Sequence, residues 1–114
     1  AQQLSSKVFR MNSSQRQQMH LAAVWANNFS NHMIAVAEDI ADKADVPREV
    51  LSPLIEETIA KAQALGALTA QTGPARRDDQ DTLDKHLDLL KNRDQKELYT
   101  QLSQSIMKNY PSKK

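Results

Sequence analysis

The chain has 114 residues, which is enough for one domain with a modest hydrophobic core. Its 15 Lys and Arg residues nearly balance its 14 Asp and Glu residues, only 4% of residues are aromatic and none is cysteine. These counts give no support for nucleic acid or an acidic membrane as a partner, and they exclude disulfides, thiolate zinc sites and cysteine nucleophiles.

The first predicted element is one long helix over residues 14–44, a stretch without Gly or Pro. Residues 1–12 precede it, and KVFRM within them suggests a short strand or an extended lead-in. One apolar face of the helix carries Leu21, Trp25, Phe29, Val36 and Ile40. An adjacent stripe of small residues suits the close approach of a second backbone, or reflects helix propensity alone. The stripe consists of Ala22, Ala26, Ser30, Ala37 and Ala41.

A second helix is predicted after a single turn that begins at Pro47. Ser52 is expected to be the N-cap with Pro53 at the first helical position, and Gly66 is expected to end the helix. The predicted buried face of this helix consists of Leu51, Leu54, Ile55, Thr58, Ile59, Ala62 and Leu65.

A loop over residues 67–78 and two further helices complete the predicted fold. The third helix runs over residues 79–90, with Leu83, Leu87 and Leu90 facing inward. Asp94 and Glu97 resemble a capping box for a fourth helix, which ends near Tyr110 and uses Leu98, Leu102 and Ile106. A tail follows over residues 111–114. The predicted fold class is all-α, a helical bundle built on one long helix.

Polar residues on the long helix are the first candidates for chemistry. At α-helical spacing His20, Val24 and Asn28 lie on one ridge, and Asn28 falls toward the apolar face. His20 and Asn28 either point into a shared cleft or are a surface histidine and a core-edge amide. His32 is expected to be a packing residue. The histidines lack metal-binding spacing, so no metal site is expected.

The loop TGPARRDD, residues 72–79, is the second candidate. Thr72, Gly73 and Pro74 can form a tight turn, in which Gly73 is free to adopt positive φ. Arg76 and Arg77 offer guanidinium groups for a carboxylate or phosphate. A solvated turn with its own ion pairs is the open alternative. No P-loop, serine nucleophile elbow or Gly-rich dinucleotide loop is present in the sequence.

Three segments together resemble a known family: HLAAVWANNF, LSPLIEETIAKAQALG and LTAQTGPARRDDQDTLDKHLDLL. They are similar to the C-terminal helical domain of bacterial NADP oxidoreductases that carry an N-terminal Rossmann domain. That family is grouped with 6-phosphogluconate dehydrogenase, ketopantoate reductase and pyrroline-5-carboxylate reductase. The resemblance covers residues 13–107, and the fold it implies is that of the 6-phosphogluconate dehydrogenase C-terminal domain.

The resemblance assigns roles to residues by position. His20, Asn28 and His86 are implied to be catalytic, with His20 or His86 as the proton donor. Thr72, Gly73, Pro74, Arg77 and Asp79 are implied to bind substrate or cofactor, with Arg77 on an anionic group and Asp79 orienting it.

Two departures from the family pattern stand out. Asp78 replaces a glycine between the Arg and the Asp, and Asp tolerates positive φ better than most residues. Val24 stands one turn before Asn28, where some relatives in the wider group carry a catalytic lysine.

The resemblance implies the substrate-binding and dimerisation domain of an NADP-dependent oxidoreductase. NADP is expected mainly on a Rossmann domain before Ala1, with residues 1–12 as the connection, and no cofactor is expected on residues 1–114 alone. The expected partners are that domain, a small-molecule substrate and a second copy in a homodimer, without nucleic acid or membrane.

Two alternatives remain open at the level of the sequence: a non-catalytic helical interaction or sensor domain, and a free-standing helical adaptor. The expected location is the cytoplasm, because no apolar run approaches membrane-spanning length and no signal peptide opens the chain.

Overall fold

The computed structural model of the protein describes residues 9–111, and all regular structure within that range is helical. The predicted all-α class is therefore confirmed. Part of the possible strand over residues 7–11 and most of the tail lie outside the described residues, and residues 9–11 have no regular structure. The chain divides into two compact units, residues 1–48 and 49–114.

In the described part of the first unit, residues 9–48, one continuous helical stretch has three parts. Helix α1 spans Ser13–Ala23, a π-helical segment spans Val24–Phe29, and helix α2 spans Ser30–Lys43. The predicted helix over residues 14–44 is confirmed. The start is fixed by a capping box, because the Asn12 side chain accepts from the Gln15 backbone N–H and the Gln15 side chain accepts from the Asn12 backbone N–H.

The π-helical segment is a feature that periodicity did not predict. Its sequence VWANNF contains neither of the residues that usually interrupt helices, Gly and Pro. Trp25 and Phe29 pack edge to face within it, with ring centroids 4.8 Å apart. The Ser30 hydroxyl donates to the Trp25 carbonyl at 3.4 Å. An i→i+5 turn holds more residues than an α-helical turn, so the direction of Asn28 relative to His20 differs from the α-helical ridge predicted above.

Over its described residues, 49–111, the second unit contains four α-helices: α3 (Ser52–Leu65), α4 (Ala67–Ala70), α5 (Gln80–Leu89) and α6 (Arg93–Asn109). A 3-10 turn over Arg48–Leu51 precedes α3, as expected after Pro47. Gly66 ends α3 with φ of 84°, which confirms the predicted stop.

Three local predictions for this unit were wrong. Ser52 is the first helical residue rather than the N-cap, because the 3-10 turn runs directly into α3 and Leu51 takes the cap position. The fourth helix begins before the predicted Asp94–Glu97 box, and Asn92 caps it by accepting from the Gln95 backbone N–H at 3.0 Å. The predicted loop over residues 67–78 contains the short helix α4.

Apolar residues are far more exposed than their periodicity suggests. Among the described residues only Ala75 and Leu83 are buried, so the predicted buried face of α3 is wrong. On α3, Leu54, Ile59 and Leu65 are at least half exposed. On the long helix Trp25 is 61% exposed. Leu21, Phe29 and Ile40 on the same helix are also exposed. The periodic pattern therefore marks faces that this chain leaves open.

Candidate functional site

The loop between α4 and α5 is a tight, hydrogen-bonded turn. The Arg77 backbone N–H donates to the Gly73 carbonyl at 3.3 Å, and the Asp79 backbone N–H donates to the Pro74 carbonyl at 2.9 Å. Gly73 has φ of 106°, as its sequence context predicted. Asp78 has φ of 57°, so the position where the resembling family has glycine does adopt the left-handed region. Ala75, at the centre of the turn, is 5% exposed and anchors it.

A cation–π contact fixes one of the two arginines. The Arg76 guanidinium carbon lies 4.1 Å from the centroid of the Tyr110 ring. The Tyr110 hydroxyl donates in turn to the Leu68 carbonyl. Arg76 therefore connects the loop to the end of α6, a contact that Arg77 does not share.

Arg77 is held instead by Asp79, the N-cap of α5. Its Nη2 lies 3.6 Å from Asp79 Oδ2. The same carboxylate accepts from the Thr82 hydroxyl at 2.8 Å and from the Thr82 backbone N–H at 3.2 Å. The Arg77 side chain remains 60% exposed. The structure thus brings together two of the predicted binding residues, Arg77 and Asp79, and adds Thr82. The sequence carries a signal for this contact, because a capping Asp commonly accepts a hydrogen bond from the residue three positions later.

Hydrogen bonding stabilises the ionised form of Asp79. The Thr82 hydroxyl, then the Thr82 backbone N–H and the Arg77 guanidinium, hold the pKa of Asp79 below its ordinary value. Because the folded pKa is depressed, the carboxylate stabilises the folded chain at pH above the ordinary carboxyl range. That contribution is lost as the pH falls through the lower folded pKa.

The charges of the loop limit what it can attract. Residues 76–81 carry two arginines and three aspartates. The first-turn N–H group of Thr82 is already bound to the Asp79 carboxylate. One first-turn donor of α5 is therefore occupied by a carboxylate of the protein itself.

Backbone strain at Asp78 leads to a stability prediction. Asp78→Val is expected to destabilise the chain by about 1–2 kcal/mol, because a β-branched residue is disfavoured in the left-handed region. Asp78→Asn should leave stability nearly unchanged, since Asn removes the charge but tolerates the same φ. Urea unfolding of both variants checks the prediction. If Asp78→Asn and Asp78→Val lower the free energy of unfolding equally, the loss comes from the missing charge and not from the positive φ, which would contradict the prediction.

His86 lies on α5 and contacts α6 rather than the arginine cluster. Its Nδ1 is 2.7 Å from the Tyr99 hydroxyl oxygen, and the two rings pack edge to face with centroids 5.8 Å apart. Both residues are half-buried. Tyr99 was not predicted, because a contact across 13 residues on two helices leaves no local pattern in the sequence.

The candidates on the long helix are exposed. His20 lies in the last turn of α1, Asn28 lies in the π-helical segment, and His32 lies in the first turn of α2. All three side chains are exposed, so the expected packing role of His32 is wrong, and the alternative of Asn28 as a core-edge amide is not supported. An exposed amide needs no protein partner, and the Asn28 side chain has none within residues 9–111.

Thr72 borders a separate feature of the second unit. It is one of the residues that line a groove of about 320 Å³ between α3 and α4. Glu57 and Lys61, paired at 2.8 Å, lie on the α3 side of this groove. The predicted binding residues are thus divided between this groove and the Arg77–Asp79 cluster.

Two further findings concern the range that the structure describes. Within residues 9–111, acidic and histidine side chains do not gather into a group that could hold a metal ion. None of the helices there has both the length and the apolar content needed to cross a membrane.

Comparison with known proteins adds a structural relative. A crystal structure described as a "putative NADP oxidoreductase" from Bacteroides fragilis matches with a TM-score of 0.84 and 42% sequence identity. The match covers 88% of this chain but only 39% of the Bacteroides chain. No curated protein matches. A family model described as a domain of unknown function, DUF2520, matches residues 1–106, and the chain belongs to that family.

Proposed function

We propose that this chain is the substrate-binding and dimerisation domain of a cytoplasmic NADP-dependent oxidoreductase. The reaction class is hydride transfer between nicotinamide and a small carbonyl, imine or hydroxy compound. The wider group is that of 6-phosphogluconate dehydrogenase, ketopantoate reductase and pyrroline-5-carboxylate reductase. The observation that carries the proposal is the 42% identity to the Bacteroides protein across 88% of this chain.

The cofactor is assigned to another domain of a longer protein. The residues of this chain do not fit a dinucleotide on their own, because its two glycines, Gly66 and Gly73, are separate helix-end and turn residues. A Gly-rich loop between a strand and a helix is what cradles a pyrophosphate. NADP would therefore lie mainly on an N-terminal Rossmann domain, and the residues of this chain would act on the substrate.

The residues of this chain bind and orient the substrate in the proposal. Arg77, steadied by Asp79, holds an anionic group of the substrate or of the cofactor. Thr72, Gly73 and Pro74 shape the approach to that arginine. His20 and Asn28 offer hydrogen bonds to the reacting oxygen or nitrogen, and His20 or His86 serves as the proton donor.

The long helix is the proposed dimer contact. Its exposed Leu21, Trp25 and Phe29 lie next to exposed small residues at Ala22 and Ala26. Large aromatic side chains contribute most to interfaces when they enter well-packed contacts, and small residues let the second backbone approach. A homodimer would remove this apolar surface from water.

A non-catalytic role is the second candidate, and one residue favours it. Val24 occupies the position where some members of the wider group carry a catalytic lysine. An apolar side chain can neither donate nor accept a proton. The parent protein could bind nucleotide and use this helical domain as a sensor or an interaction module.

Turnover by the full-length parent distinguishes the two candidates. If the domain belongs to an oxidoreductase, the parent should oxidise NADPH with at least one small carbonyl or imine compound, which is measured as a loss of NADPH absorbance. The 114-residue chain should show no turnover. A parent that binds NADPH but oxidises it with none of a broad panel of such compounds would favour the sensor role.

A further inference from the structure

The contact between His86 and Tyr99 determines more than the packing of two helices. Nδ1 and the phenolic oxygen are 2.7 Å apart, and the ring planes meet at 88°. The hydrogen bond joins α5 to α6 and fixes both the position and the rotation of the imidazole. One ring nitrogen of His86 is therefore engaged, and the chemistry of the residue depends on Nε2.

The direction of this hydrogen bond follows from the available partners. A neutral imidazole has one N–H donor and one acceptor nitrogen, and a phenol has one proton to donate. Within residues 9–111 the Tyr99 hydroxyl has no other polar partner. Burial raises the pKa of Tyr99, so the phenol keeps its proton. An O–H group donating to Nδ1 satisfies both atoms, whereas an N–H group donating to the phenol would leave the phenolic proton without a protein acceptor.

We propose that Tyr99 is a positioning residue that keeps the proton of neutral His86 on Nε2, so that the imidazole presents an N–H donor to a ligand oxygen or imine nitrogen. In the described part of the chain Nε2 has no partner of its own. His86 then acts by polarising the reacting group through the Nε2–H hydrogen bond, and not as a general base. The tautomer is argued from the His86–Tyr99 contact and the partners available to it, while the assignment of a ligand rests on the proposed oxidoreductase function.

The position of His86 on α5 narrows the class of ligand. Thr82 lies one turn before His86 on the same face, and it is bound to the Asp79 carboxylate that holds Arg77. Asp79 and His86 are seven residues apart, which corresponds to roughly 10 Å along the helix axis. The ligand that fits both groups has an anionic end for Arg77 and a carbonyl or imine at the other end for Nε2.

The tautomer can be measured directly in the 114-residue chain by nitrogen-15 NMR of the histidine side chains at about pH 8.5, where an ordinary imidazole is neutral. His20 and His32, both exposed, serve as internal references. We expect His86 to carry its proton on Nε2 alone, with a slowly exchanging Tyr99 hydroxyl proton. We expect Tyr99→Phe to move the His86 nitrogen shifts toward those of the two references.

Two results of this measurement would overturn the proposal. One is a proton on Nδ1, which would make Tyr99 the acceptor. The other is a His86 spectrum that matches the references before any substitution. Tyr99→Phe keeps the ring that packs on His86, so the fold should survive, as circular dichroism would verify. The wild-type spectrum decides the tautomer even if the variant does not fold.

The claim that His86 donates from Nε2 to a ligand is tested separately, in the full-length parent. Tyr99→Phe is expected to lower kcat/KM about tenfold, the effect of one neutral hydrogen bond, without changing the affinity for NADPH. An active parent with unchanged kcat/KM would overturn the role of Tyr99 toward the ligand. A parent that binds no NADPH would instead overturn the proposed function, with the tautomer result unaffected.

Discussion

Arg77→Ala in the full-length parent is expected to weaken ligand binding by about tenfold to a hundredfold. Hydrogen bonds to charged groups contribute about 1.5–3 kcal/mol each, and each 1.4 kcal/mol is a factor of about ten in affinity. The Arg77 side chain is 60% exposed and its guanidinium contacts Asp79 through Nη2 at 3.6 Å, so its other donors can still bind an anion. The loss of affinity is measured by calorimetric titration with NADPH and by the KM for a substrate that the parent converts.

Arg76→Ala is the matched control for this substitution. It removes the same charge one residue away, but its guanidinium lies 4.1 Å from the centre of the Tyr110 ring. We expect Arg76→Ala to lower stability while leaving ligand affinity nearly unchanged. Equal losses of affinity in the two variants would point to general electrostatic attraction. An unchanged NADPH affinity and an unchanged KM in Arg77→Ala would contradict the assignment of Arg77.

Trp25→Ala is expected to raise the dissociation constant of the homodimer by about thirtyfold or more. Interface residues that dominate binding contribute about 2 kcal/mol or more, and tryptophan is over-represented among them. Trp25 is 61% exposed within the chain, so its loss should change the free energy of unfolding of one copy little. Sedimentation velocity over a series of protein concentrations measures the constant.

Leu89→Ala provides a control with a similarly exposed apolar side chain. Leu89 is 73% exposed and lies on α5, away from the long helix in sequence. We expect its removal to leave self-association unchanged. A wild-type protein that remains monomeric at high concentration would contradict the dimer. If the parent is monomeric and Trp25 in it is protected from a soluble fluorescence quencher, the apolar face of the long helix contacts another part of that parent.

Features set by neighbouring residues were predictable from the sequence. Gly66 and Gly73 take positive φ because the helix stop and the turn require it, and Asp78 takes positive φ where the resembling family has glycine. Asp79 caps α5, and an acidic residue directly before an apolar-periodic segment is a local signal for that role. The start of α6 was misplaced because two cap candidates, Asn92 and Asp94, lie two residues apart and differ little in propensity.

Features that depend on distant residues were not predictable. The His86–Tyr99 hydrogen bond and the Arg76–Tyr110 stack each connect parts of the chain whose proximity only the fold establishes. The π-helical turn at Val24–Phe29 carries no Gly or Pro signal, so periodicity could not reveal it. The faces of α3 and of the long helix were predicted from periodicity, which reports that a face is apolar but not what covers it.

The central claim is that this helical domain works beside a nucleotide-binding domain, and a titration of NADPH tests it most directly. NADPH is added in parallel to the full-length parent and to the 114-residue chain, with Trp25 fluorescence and calorimetric heat followed in both. We predict saturable binding by the parent and none by the isolated chain. Absence of binding to both proteins would contradict the account.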